Sequence, residues 1–329
     1  MGALLRRWGG FAGGPLLALL VLAVPGDLPD PARRVAALTA WMAVWWLTAV
    51  VPLAATALLP LVVLPLVGIG RVEQVAAAYA DPIIFLFLGG FFLAAASERW
   101  GLHRRLALGT IALVGAEAPR VILAVMLATA FVSMGISNTA TAAMMLPITL
   151  ALIELARREA PDRAGPFATA LVLGMAYAAS IGGVATLIGT PPNAIFAASA
   201  GTLLGRRVGF AEWMAVGVPV AALMLVACWL LLVRVLFPVR GPLGGVAQLV
   251  ERERSALGPW SAGARVTVAV LGLAALAWVL REPKQVGEVT IPGVVDFLPG
   301  LSDAGIAVGA ALLLFVFPVS LAQRRFALD

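Results

Sequence analysis

Apolar residues in this chain come in long runs, not in alternation, and polar residues gather between the runs. A run of about 17–25 apolar residues is what a helix needs to cross a bilayer. The first run, 11–24, is short, follows Arg6-Arg7 and ends in "PGDLPDPARR" without a small-x-small cleavage pattern, so it reads as a retained helix. The run 35–68 is too long for one helix and breaks at "VVPLAAT", because Pro52 disfavours helix in the residue before it. It predicts two antiparallel helices. Residues 82–96 predict a further span ending in "SERWGLHRR", followed by a short amphipathic or interfacial helix over 106–114. Spans are also expected over 213–237, 266–280 and 306–319, with a polar loop containing "ERERSALGPW" before the second of these.

Two runs do not fit this scheme. Residues 121–155 are too many for one span and slightly few for two spans and a turn. Residues 167–200 behave alike, interrupted by "SIGGVATLIGTPPN".

Composition sets the solvent. The 329 residues are 62% hydrophobic and 12% charged, with a mean hydropathy of +1.01. Soluble domains run near 45–50% apolar and about 25% charged, so this is an integral membrane protein. The formal charge of +6 does not indicate nucleic acid, because the arginines sit in short connectors between apolar runs. A single cysteine, Cys228, excludes an intrachain disulfide.

Charge also decides the run 121–155. If it enters and leaves by one face, as a re-entrant hairpin, Arg6, Arg7, Arg99, Arg104, Arg105, Arg120, Arg157, Arg158, Arg163, Arg234, Arg240, Arg252, Arg254, Arg265, Arg324 and Arg325 share a side. Arg33, Arg34, Arg71, Arg206, Arg207, Arg281 and Lys284 take the other, a bias of 16 against 7. That is an ordinary positive-inside distribution with a cytoplasmic N-terminus. A single crossing would set Arg104-Arg105 opposite Arg157-Arg158 and flatten the bias. The expectation is therefore a multi-span, all-α membrane protein with a re-entrant helical hairpin and a broken helix.

The hairpin places Ser137-Asn138-Thr139 at its turn. These are preferred N-cap types, whose side-chain oxygens satisfy orphan amides. The N-terminus of the second arm suits an anion. The C-terminus of the first arm, near Ser133, offers carbonyls and hydroxyls that suit a small cation, and Gly135 eases the bend. In the second interrupted run, Gly182-Gly183 can unwind one half and "GTPPN" can restart it, with Thr190 as N-cap and Pro191 in the first turn. Small and hydroxyl residues in membrane helices usually serve only close packing. Two interruptions with matching end chemistry, added to the charge parity, reverse that balance and point to a transporter's midplane site. No ionisable residue lies between Arg120 and Glu154, so a bound anion would be held by neutral donors, helix ends and cations.

"SMGISNTATAAMMLP", "SIGGVATLIGTPPNAI", "DPIIFLFLGGFFLAAASERWGLHRR" and "WWLTAVVPLAATALLPLVVLPLVG" together resemble the divalent anion:sodium symporter family of dicarboxylate and citrate carriers. The resemblance covers nearly the whole chain. It implies sodium-coupled symport of a divalent, succinate-like carboxylate, with no enzymatic role, by an elevator-type homodimer in a bacterial-type inner membrane. It further implies that Ser137, Asn138 and Thr139 touch a substrate carboxylate. Sodium would be held by Ser133, Ser137, Asn138 and the backbone of Thr186–Gly189, while Gly182, Gly183, Thr190, Pro191, Pro192 and Asn193 shape the helix break.

The family pattern also implies parts: scaffold and interfacial helices in 1–115, transport-domain elements in 116–237, a cytoplasmic loop in 238–265, and the start of a second inverted repeat in 266–329. The expectation is the first repeat plus the first two spans of the second, a truncated or split fragment of a carrier. Rival expectations are a non-transporting fragment or membrane subunit needing a second chain, and a citrate or sulfate cargo. The family's Trp-Trp-x-Thr-Glu-Ala stands here as "WWLTAV", with Ala49 at the acidic position. His103, flanked by Arg104, carries no ligand pattern. Glu154 is expected to pair at a helix end, "ERER" at 251–254 to be a solvated face, and Trp41, Trp45 and Trp46 to pack or anchor.

Overall fold

The computed structural model describes residues 2–206, 208–286, 289–320 and 325–328. Arg207 and Arg324, counted above in the charge bias, lie outside the described residues, as do the side chains of Arg6 and Arg7. The described chain is mostly helical and forms two compact units, 1–81 and 82–329.

The first unit holds α1 (Gly2–Ala23), α2 (Asp30–Thr48), α3 (Leu53–Ala57), α4 (Leu59–Leu66) and α5 (Val72–Ala78). A Cβ on Gly14 would lie 2.6 Å from the Trp41 ring and 2.8 Å from that of Trp45, so glycine lets α1 meet α2 closely. Trp45 is buried, stacks on Phe11 at 5.4 Å and donates its indole N–H to the Phe11 carbonyl at 3.0 Å. The helix α2 ends at Ala49, which holds a left-handed φ of 48°. That conformation costs an L-residue about 1–2 kcal/mol, and the chain then re-enters helix after Pro52. Where one helix is expected after Pro52, two short ones form, because Pro60 in the first turn of α4 starts a new helix.

The second unit comprises α6 (Pro82–Arg99), α7 (Leu102–Val114), α8 (Ala118–Ser133), α9 (Asn138–Glu159), α10 (Pro161–Val184), α11 (Pro191–Leu204), α12 (Phe210–Leu230), α13 (Val246–Leu257), α14 (Ala262–Leu280), α15 (Val294–Phe297) and α16 (Asp303–Val316). A π-helical turn, Leu231–Leu236, extends α12. Two minor antiparallel ribbons complete it, β1 (Lys284–Val286) with β2 (Val289–Ile291), and β3 (Pro318–Ser320) with β4 (Arg325–Phe326). Among the described residues, five helices are long and apolar enough to cross a membrane: Pro82–Arg99, Asn138–Glu159, Pro161–Val184, Phe210–Leu236 and Ala262–Leu280. On α12, Val216, Val220, Leu223 and Leu230 point outward, as a lipid-facing surface requires.

Two buried clusters organise this unit. One packs α7, α8, α9, α10 and α12 around Ile122, Met126, Met145, Leu152, Phe167 and Leu171. The other packs α6, α14 and α16 around Leu86, Leu93, Trp278 and Leu314. A Cβ on Gly89 would lie 2.4 Å from the Ala307 carbonyl carbon, which marks a backbone-to-backbone crossing of α6 and α16. The helices α6 and α7, grouped with the scaffold by the sequence pattern, thus belong to the second unit.

The run 121–155 is a hairpin. Ala118 at the start of α8 and Ala156 and Ala160 at the end of α9 line one small cavity with Pro242 and Leu243. The Ala118 amide donates to the Gly241 carbonyl at 3.0 Å, and the Leu243 amide to that of Ala116 at 2.9 Å. Arg163, just past α9, donates to the Arg240 carbonyl at 3.0 Å. Both arms therefore start and finish at one end, and Arg120, Arg157, Arg158, Arg163 and Arg240 gather there. Glu154 pairs with Arg158 at 3.0 Å, the helix-end contact expected.

The stretch 238–265 is more than a loop. It contains the amphipathic α13, whose Val246 and Val250 are buried while Glu253 pairs with Arg104 on α7 at 2.9 Å. "ERER" is thus part of a docked helix, in which Glu253 pairs with Arg104 and Glu251 accepts from the Ser255 hydroxyl.

Candidate functional site

The hairpin turns in four residues. Met134 caps α8, and Ser137 is the N-cap of α9, in extended backbone with its hydroxyl accepting from the Ala140 amide at 3.4 Å. Asn138 and Thr139 are already in the first turn of α9. Ser133 ends α8 fully buried, Ser137 and Asn138 are half-buried, and Thr139 is exposed.

Ser133 and Asn138 face each other across the turn. Ser133 Oγ lies 2.9 Å from Asn138 Oδ1 and 2.6 Å from the Ala179 carbonyl oxygen of α10. A serine has one proton, and a carbonyl can only accept. With that proton on Ala179, Ser133 Oγ and Asn138 Oδ1 are two lone-pair donors at contact distance. Two arrangements relieve this: Asn138 turns its amide so that N–H faces Ser133, or a small cation sits against the oxygens.

The second interruption meets the first. The helix α10 keeps Gly182 and Gly183 helical and ends directly after them, at Val184. A Cβ on Gly182 would lie 2.1 Å from the Ala130 carbonyl oxygen of α8, and one on Gly183 would lie 2.4 Å from Asn138 Oδ1. Glycine inside a helix costs about 0.5–1 kcal/mol relative to alanine. Here it permits backbone contact with the hairpin, which is its physical role in place of unwinding.

The break itself spans 185–190 and is bound by side chains. Asn193 in the first turn of α11 donates to the Gly183 and Thr186 carbonyls, each at 2.8 Å. Trp213 of α12 donates its indole N–H to the Val184 carbonyl at 2.9 Å. These contacts satisfy carbonyls that the end of α10 leaves without helical partners. Thr186 donates its hydroxyl to the Met134 carbonyl and accepts from the Gly189 amide at 3.1 Å. A Cβ on Gly189 would lie 2.5 Å from the Gly183 carbonyl oxygen, so the break folds back on its own start.

The depth of the site follows from helix rise. Trp213 touches the break, whereas Trp229 donates to the Pro119 carbonyl at the hairpin base at 2.9 Å. The 16 residues between the two tryptophans, at 1.5 Å each, put the break about 24 Å from the base. A hydrocarbon core is about 30 Å thick, so the span from base to break is shorter than one membrane crossing.

Of the residues expected at the site, Ser133, Asn138, Gly183, Thr186, Gly189 and Asn193 converge. Thr190 is the N-cap position of α11 but makes no side-chain capping bond, and Pro191 and Pro192 are exposed. Two prolines remove two amide donors from the α11 N-terminus. The α9 N-terminus keeps its amides at Asn138 and Thr139, so the hairpin is the better anion donor. Sequence reasoning missed the Ala179 and Met134 carbonyls, which any residue type can supply. It also missed Trp213, whose signal is an indole in an apolar helix that needs a hydrogen-bond partner.

A hairpin and an interrupted helix meeting tip to break is the arrangement that marks the binding site in many secondary transporters. Residues 43–325 match the CitMHS citrate transporter family, and the chain belongs to that family. It is 39% identical over 320 residues to the sodium-dependent dicarboxylate transporter SdcS of Staphylococcus saprophyticus, covering 95% of this chain and 60% of that protein. It is 41% identical over 321 residues to SdcS of Staphylococcus aureus, with the same coverage. The chain therefore spans 60% of the length of these curated relatives.

Proposed function

We propose that this chain carries one half of the binding site of a sodium-coupled symporter for a divalent, succinate-like carboxylate, and that it transports its cargo without acting as an enzyme. The observation that carries the reading is the meeting of Ser133 Oγ, Asn138 Oδ1 and the Ala179 carbonyl at the hairpin turn. Sodium is the cargo those neutral oxygens suit, supplemented by the carbonyl-rich break at 185–189. It would replace the Ser133–Asn138 contact and leave the α9 amides and the Ser137 and Thr139 hydroxyls to the carboxylate. The two charges then cross together and partly cancel.

The relatives' names, sodium-dependent dicarboxylate transporters, support cation and cargo alike. The family's description favours citrate as the rival cargo. An elevator movement of the hairpin and broken helix, a homodimeric carrier and a bacterial inner membrane with the N-terminus cytoplasmic complete the proposal. The gathering of arginines at the hairpin base supports that orientation. The complete activity belongs to a carrier of the relatives' full length.

The test is radiolabelled succinate uptake into vesicles holding such a full-length carrier, with inward sodium or potassium gradients. Uptake should require sodium and fall at least a hundredfold in Asn138→Ala, with the helical circular dichroism kept. Sodium-driven uptake at the unaltered rate in that variant would refute the reading. Competition by excess citrate or sulfate ranks the cargoes.

A further inference from the structure

An open cavity of about 440 Å³ lies between α7 and α13 in the second unit. Arg105, Gly109, Glu251, Arg254, Ser255 and Trp260 line it. Arg104, next door, is neutralised by Glu253. Arg105 is not. One of its Nη atoms donates to the Leu257 and Pro259 carbonyls at 2.8 and 3.0 Å, and its guanidinium lies 5.0 Å from the Trp260 ring centre. Its Nε–H is buried without an acceptor.

Contacts that orient a guanidinium at a cavity wall, with no carboxylate paired to it among the described residues, leave its charge available to an anion. Arg254 adds a second cation and makes no ion pair among the described residues. Glu251 opposes them, with the Ser255 hydroxyl 3.4 Å from its Oε1. The lining therefore carries a net positive charge.

We propose that this cavity binds a phosphate group, held by Arg105 and Arg254. A phosphate offers several oxygens to two guanidinium forks, which suits arginine better than it suits a point charge. Its source is either an anionic phospholipid headgroup or a soluble phosphate. The half-exposed Trp260, the amphipathic α13 and the arginines of α7 and α13 suit the headgroup layer. This inference stands apart from the transport reading, since none of these residues belongs to the hairpin or the break.

The chain, extracted from vesicles with equal phosphatidylglycerol and phosphatidylcholine, is analysed by native mass spectrometry as wild type, Arg254→Gln and Arg105→Lys. In parallel, thermal unfolding in detergent is followed with inorganic phosphate against chloride at matched ionic strength. Phosphatidylglycerol should be retained preferentially, and roughly tenfold less in each variant, as loss of a charged hydrogen bond implies. A phosphate-dependent thermal shift that vanishes in Arg254→Gln, without lipid preference, assigns the site to soluble phosphate. Equal retention of both lipids with no phosphate-dependent shift overturns the proposal, and so does wild-type behaviour of both variants. Arg254→Gln, on an exposed residue, separates lost binding from lost folding.

Discussion

Thr186 and Met134, 52 positions apart, are joined by a hydrogen bond from the Thr186 hydroxyl to the Met134 carbonyl. The Thr186 hydroxyl oxygen also accepts from the Gly189 amide. One side chain thus fastens the turn of the hairpin to the break between α10 and α11, so ordering one interruption orders the other.

Thr186→Val keeps the shape and removes that fastening. It strands a carbonyl and an amide in a buried place, at about 1–3 kcal/mol for each unsatisfied group. The melting temperature in detergent should fall, and hydrogen exchange should rise at Gly189 and Gly135 while α8 and α9 stay protected. Unchanged exchange at both positions would remove the link from the account.

Gly182→Ala and Gly183→Ala should separate folding from transport. An added methyl at 182 meets the Ala130 backbone 2.1 Å away and must push α10 off α8, at about 1–3 kcal/mol. At 183 it meets the tip of the Asn138 side chain, which can rotate aside. Thermal stability should drop in the first variant. In the second, stability should hold while sodium-dependent uptake by the full-length carrier falls at least tenfold.

Ser133→Ala removes the donor to the Ala179 carbonyl, which sits inside α10. The stability loss should be near 1 kcal/mol, the worth of one buried hydrogen bond. Under the cation reading, the sodium concentration giving half-maximal uptake should rise about tenfold with little change in maximal rate. A pure loss of stability with an unaltered sodium dependence would make Ser133 structural only.

His103, in α7 at the arginine-rich end, supplies a pH signature. Burial holds its pKa below the usual 6.5, Glu98 opposes that shift and Arg104 adds to it. The unfolded chain therefore binds a proton below pH 6.5 that the folded chain resists. The stability is present above pH 6.5 and is lost as pH falls through and below that value. Melting temperatures recorded from pH 7.5 to 5 should decline in the wild type and less in His103→Gln.

Much of this was readable in the chain. A run of 35 apolar residues cannot be one span, and arginine placement alone required a hairpin, which the shared neighbours of Ala118 and Ala160 bear out. The meaning of Gly182-Gly183 was not readable. Paired glycines serve unwinding and close approach equally, and only the Ala130 backbone and the Asn138 amide on the opposing helix show which applies. The helix α13 had a signal, Val246, Leu249, Val250 and Leu257 at helical spacing, but its charges hid it among loop residues.

By itself, then, the sequence determined the solvent, the fold-back of 121–155 and the residue types at both interruptions, because hydropathy, charge and capping act locally along the chain. Only the tertiary structure decided that the two interruptions meet, that Asn193 and Trp213 take up the loose carbonyls of α10, and that Ser133 faces two acceptors with one proton. Those contacts join residues far apart in the chain, and several use backbone oxygens that every residue carries and no sequence pattern marks.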